Sequence, residues 1–154
     1  MATVKQTLRA DLQEAMRARD ELRTATIRMA LSAISTEEVA GTSARELSDE
    51  EVLAVVRREA KKRREAAAAF ADGGRLERAE REQAELAVLE TYLPTQLDDA
   101  ALSAVVSAAI EQVGAQGPGD LGPVMKAAQA QVAGRADGAR VSTEVRRQLA
   151  ARAG

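Results

Sequence analysis

Alanine fills 34 of the 154 positions, and Phe70 and Tyr92 are the only aromatic residues. Alanine has the best helix propensity but fills little space. Such a chain favours closely packed helices that draw most of their burial energy from Leu, Val, Ile and Met. A β-fold lacks its usual material, since no segment alternates with period two while being rich in β-branched or aromatic residues. The expected fold class is all-α.

Helical spacing recurs seven times. Val4, Leu8, Leu12, Ala15 and Met16 share one face. Ile27, Ala30, Leu31 and Ile34 share another after a charged break at Arg19-Asp20-Glu21. A third helix is signalled by Ser48 and Glu51 as a capping box and by Leu47 and Val52 at hydrophobic-staple positions. It is expected to stop at Asp72-Gly73-Gly74, where glycine accepts a left-handed conformation. A fourth carries Leu76, Ala79, Leu86, Leu89 and Leu93 and is expected to end at Pro94. Asp98 is read as the cap of a fifth helix, which closes by Gly114. After the loop AQGPGDLGP, a sixth helix carries Val124, Met125, Ala128 and Val132. A seventh is expected to begin near Ser142 and shows Val145 and Leu149 one turn apart.

The composition changes after Pro94. Residues 1 to 94 hold 16 Lys/Arg and 18 Asp/Glu, leaving six of each for the remainder, where seven of the ten glycines fall. The expected organisation is a four-helix N-terminal domain over 1–94 and a small three-helix bundle over 97–154.

The chain has no Cys and no His, which removes thiol nucleophiles, ordinary zinc sites, imidazole acid/base catalysis and disulfides together. Its carboxylates are spaced for helix caps and i,i+4 pairs rather than for a buried acid/base couple. No catalytic residue, metal or cofactor is therefore assigned. A net charge of −2 argues against a basic coat over the whole surface but leaves room for a local basic patch. The first sixteen residues lack the apolar core of a secretory signal, and no run reaches the length of a membrane span. The expected location is cytoplasmic.

Two stretches can carry function. Arg57-Arg58-Glu59-Ala60-Lys61-Lys62-Arg63-Arg64 places six cations around one acid. At 100° per residue, Val52, Val56, Ala60, Ala67 and Phe70 form the apolar stripe. Arg57, Lys61 and Arg64 fall on one flank, Arg58 and Lys62 lie farther round, and Arg63 falls inside the stripe. Arg63 must therefore snorkel, pair with a carboxylate, or face a polar neighbouring helix. The row of Arg57, Lys61 and Arg64 suits a phosphate backbone. It equally suits a solvated face paired with the acidic fourth helix, ERAEREQAE.

The second stretch is GRADGARVS, from Gly134 to Ser142. Gly134, Asp137 and Gly138 build a turn between helices, with Gly134 in a helix-closing position and Asp137-Gly138 a turn dipeptide. Arg135 and Arg140 are the residues a turn does not explain. With the free amides at the start of the last helix, they are positioned to accept a phosphate.

TIRMALSAI (Thr26 to Ile34), LSDEEVLAVVRREAKKRREAAAAF (Leu47 to Phe70), LETYLPTQL (Leu89 to Leu97) and GRADGARVS, taken in order, resemble the YqeY family over nearly the whole chain. That family is similar to the tail region of the B subunit of the glutamine-dependent aminoacyl-tRNA amidotransferase. The resemblance implies an all-helical protein with a larger N-terminal part and a small C-terminal three-helix part. In the amidotransferase the similar region holds tRNA, while glutamine hydrolysis and transfer occur elsewhere. The family segment before the last helix commonly reads Gly-Arg-Ala-Asp-Gly-Lys. Gly134 to Gly138 reproduce it, but Ala139 replaces the lysine and Arg140 stands next to it.

By this resemblance the expected role is a non-catalytic tRNA-binding accessory module, with phosphate contacts from Arg57, Lys61, Arg64, Arg135 and Arg140. Two other roles stay open, a helical adaptor docking on a protein partner and a non-catalytic subunit of a glutamine-dependent carbon-nitrogen ligase. Amidase chemistry requires a Cys or a Ser-Ser-Lys signature. Neither is present, so any amide transfer would come from a larger complex.

Overall fold

The computed structural model describes residues 1–153. They form seven α-helices: α1 (Val4–Arg17), α2 (Glu21–Glu38), α3 (Asp49–Asp72), α4 (Leu76–Glu90), α5 (Asp99–Val113), α6 (Leu121–Val132) and α7 (Gly138–Ala153), with a 3-10 turn at Pro118–Asp120 ahead of α6. There is no strand among the described residues, so the protein is all-α. The chain divides into two compact units, Met1–Leu93 with α1 to α4 and Pro94–Gly154 with α5 to α7.

Local chemistry sets the helix starts. The Ser48 hydroxyl accepts from the Glu51 amide, and the Glu51 carboxylate accepts from the Ser48 amide, both at 3.2 Å. Arg45 forms an ion pair with the same carboxylate. That pair, with the Ser48 amide adding to it, holds Glu51 down to about 2. Thr3 and Gln6 form a second capping box at the start of α1, a T-x-x-Q signal that the apolar periodicity had overshadowed. Asp98 caps α5 through the Ala101 amide at 2.7 Å.

Three boundaries differ from expectation. α4 ends at Glu90 rather than running to Pro94. The Thr91 hydroxyl donates to the Val88 carbonyl at 2.7 Å, a local bond that competes with helix continuation. The Tyr92 phenol then leaves toward α1, donating to Asp11 at 2.5 Å. The loop before α6 is shorter than expected, because Leu121, Gly122 and Pro123 already belong to the helix; proline is tolerated in a first turn, where its missing N–H has no partner to lose. α7 begins at Gly138, not near Ser142. Asp137 provides the start, its carboxylate accepting from the Ala139 amide at 2.8 Å.

Each unit has its own core. In the first, Leu8 of α1, Ile27 and Ile34 of α2, Val52 and Val56 of α3, and Leu86 and Leu89 of α4 meet, with Leu47 closing over them from the α2–α3 connection. In the second, Val106 and Ile110 of α5, Val124 and Val132 of α6, and Val141, Val145 and Leu149 of α7 are buried together. Burying each such side chain contributes about 1.5–3 kcal/mol. Polar clamps supplement the first core. Lys5 of α1 meets Glu38 of α2 at 2.7 Å, and this bond holds the Glu38 carboxyl below its ordinary range.

Candidate nucleic-acid interface

α3 is an unbroken helix from Asp49 to Asp72, so residues 57, 61 and 64 lie along one side of it at i, i+4 and i+7. Buried Val52, Val56, Ala60 and Ala67 define the core-facing stripe, and the row lies on its flank. Lys61 and Arg64 are exposed, and Arg57 is partly buried.

Charge pairing separates the six cations into two groups of three. Arg58 meets Glu37 of α2 at 3.4 Å and Lys62 meets Glu59 at 3.0 Å. Arg63, the cation within the apolar stripe, sits among three carboxylates, with Glu59 at 3.2 Å, Glu82 at 3.7 Å and Glu85 at 3.8 Å. Met29 Sδ lies against its terminal nitrogen. Glu85 is shared with Arg81. The acidic fourth helix is thus engaged, but with Arg63 alone of the α3 cations. Arg57, Lys61 and Arg64 have no carboxylate within 4.0 Å among the described residues. Arg57 Nε is buried and lacks a hydrogen-bond partner.

The GRADG turn is built differently. Ala133 and Gly134 both take left-handed conformations, at φ 48° and 81°, closing α6 at the position where glycine carries no Cβ penalty. The Arg135 guanidinium folds back onto the end of α6, donating to the Val132 carbonyl at 2.9 Å and the Gln131 carbonyl at 2.7 Å. It thereby satisfies carbonyls that a helix end leaves open and places a cation at the negative end of the dipole. Arg140 donates to the Leu97 carbonyl and to Asp99, each at 3.0 Å, while the Leu97 amide donates to the Arg135 carbonyl at 2.7 Å. Ala136 is buried in the core of this unit. The two arginines therefore converge on one segment, the lead into α5, and each spends two of its five N–H donors inside the protein. Charge and turn signals in the sequence mark these residues but do not reveal their carbonyl partners, which come from 43 positions away in the case of Leu97.

Two clefts flank these regions. One of about 630 Å³ lies between α5 and α7 and is bordered by Asp99, Ser103, Arg140, Thr143, Glu144 and Arg147. The other, about 530 Å³, lies between α2 and α3 beside Met29, Ser32, Thr36, Arg58, Glu59 and Lys62. Every cation in both is paired with a carboxylate: Asp99 for Arg140, Glu144 for Arg147, Glu37 for Arg58, and for Lys62 the Glu59 it shares with Arg63. Glu144 also accepts from Gln148, which donates to Ser103 of α5. The clefts are charge-balanced, whereas the row on α3 is not. No group of three or more acidic side chains among the described residues is arranged to hold a metal ion, and no described helix is long and apolar enough to cross a membrane.

The family model for YqeY, described as Yqey-like protein, matches residues 5–149. No curated protein matches the chain. The match covers nearly all of the sequence, and the chain belongs to the YqeY family.

Proposed function

We propose that this member of the YqeY family is a non-catalytic tRNA-binding accessory module whose principal phosphate contacts are Arg57, Lys61 and Arg64 on α3. The observation that carries this reading is the division of the α3 cations: three are neutralised by Glu37, Glu59, Glu82 and Glu85, and the other three form an uncompensated row. A solubilising helix face is usually laced with opposite charges at i,i+4 spacing. Glu65 stands at i+4 from Lys61 but forms no ion pair with it, and cations left unpaired keep their attraction for a polyanion. The resemblance to the tRNA-holding tail of the amidotransferase B subunit favours the same ligand. Arg135 and Arg140 contribute with the N–H groups they do not donate internally, and their first task is to fix the turn.

The test is a titration of the purified chain against bulk tRNA and against a DNA duplex at 50 and 200 mM salt. The three α3 contacts alone predict a fall in affinity of at least about fortyfold across that interval, from a log–log slope of about −2.7. Absent or salt-independent binding rejects the reading, as does a DNA duplex bound as tightly as tRNA.

A further inference from the structure

We infer that the α3 row engages a base-paired stem of RNA and not an unpaired strand; this rests on the tRNA-binding reading above and specifies which part of the RNA is held. Proteins that grip single strands combine a cationic groove with aromatic faces on which successive bases stack. Both aromatic residues of this chain are committed elsewhere. The guanidinium of Arg78 stands 5.6 Å above the Phe70 ring, and Phe70 lies on the apolar stripe of α3, well round the helix from Lys61. The Tyr92 ring is half-buried, with its hydroxyl bound to Asp11. Burial and that bond push its ionisation upward, so the phenol stays neutral. No ring is left to receive a base beside the row.

The row itself is stiff. Its three positions are spaced by an unbroken helix, so Arg57 and Arg64 stand about 10 Å apart along the axis at 1.5 Å per residue. A ladder of cations on fixed backbone positions is met with no ordering of the RNA by phosphates already held in a regular ridge, as in A-form RNA recognised by shape and backbone. An unpaired strand must be ordered to match it and gains no stacking in return. The flank of α3 carrying Arg58 and Lys62 is neutralised, which leaves one line of unpaired cations on this helix, suited to a single phosphate ridge.

Fluorescence anisotropy with the full chain, a 16-base-pair RNA duplex and a polyuridine strand of equal length distinguishes the outcomes. The duplex is expected to bind at least about fivefold tighter than the strand, which has a lower phosphate charge density and must be ordered to match the row. The Lys61→Gln/Arg64→Gln variant, with both changes at exposed positions, is expected to lose most of that advantage while keeping its circular dichroism spectrum. Equal or tighter binding of polyuridine, with the variant weakening both, overturns the inference and leaves the RNA reading standing. Failure of either RNA to bind, together with failure of bulk tRNA, overturns both.

Discussion

The Arg140 side chain donates to the Leu97 carbonyl at 3.0 Å, joining the start of α7 to the lead into α5 across 43 positions of sequence. The same guanidinium reaches Asp99. Arg140→Gln removes the charged donor and leaves the partly buried carbonyl with a weaker partner. A loss of about 1.5–3 kcal/mol is expected, the range for a hydrogen bond to a charged group. Chemical denaturation monitored by circular dichroism checks it. An unchanged midpoint would show that the guanidinium does not hold this junction.

Arg63 is mostly buried among Glu59, Glu82 and Glu85. Removing one partner from a buried ion cluster leaves uncompensated charge, at a cost of about 3–5 kcal/mol. Arg63→Ala is expected to be among the most damaging single changes in the first unit. Arg63→Met combined with Glu59→Gln and Glu82→Gln is expected to recover much of the loss, because the stranded carboxylates are gone too. Thermal melting of both variants decides the point.

Stability depends on pH through Glu144. The Arg147 guanidinium, with Gln148 and Ser103 adding to it, holds this carboxyl down to about 2 in the folded chain, against an ordinary value of 4.5. A depressed folded value contributes stability that is fully present above the unfolded value and is lost as pH falls. The window therefore runs from about 4.5 down to about 2. Glu144→Gln is expected to flatten that segment of the stability curve for the second unit and to leave the neutral-pH slope alone. Denaturation midpoints at half-unit steps of pH show whether it does.

Neighbouring lysines on α3 give a sharper contrast. Lys61 has no acidic partner, while Lys62 is paired with Glu59. Lys61→Gln is expected to reduce the salt slope of tRNA binding by about 0.9, one phosphate contact. Lys62→Gln is expected to change it by much less. Equal effects from the two would contradict the assignment of the row.

Much of the fold was legible because it depends on near neighbours. The Ser48–Glu51 capping box, the closing glycines at 74 and 114 and the apolar stripe of α3 are all short-range patterns, and helix existence follows from them. The position of Arg63 inside that stripe left three outcomes, snorkelling, a carboxylate partner or a polar neighbouring helix, and tertiary packing supplies the carboxylates. The misplaced boundaries have local but competing causes: Thr91 stopped α4 before Pro94, and Asp137 started α7 before Ser142. The fate of Arg135 and Arg140 was not legible, since charge and spacing are silent on which carbonyls fold close to a guanidinium. The row of Arg57, Lys61 and Arg64 was visible as a helical face, but its want of counter-charges depends on where α2 and α4 point their glutamates, a tertiary matter.

The burial of Ala136 within the GRADG turn has a consequence for how this chain tolerates lengthening. A turn anchored by a core methyl in its middle has no slack, and one inserted residue would withdraw that anchor or break the register of the arginines on either side. Every residue from Val39 to Glu46 in the α2–α3 connection is exposed, and extra residues there would spill into solvent. The two connections differ in kind, one a rivet and the other a strap.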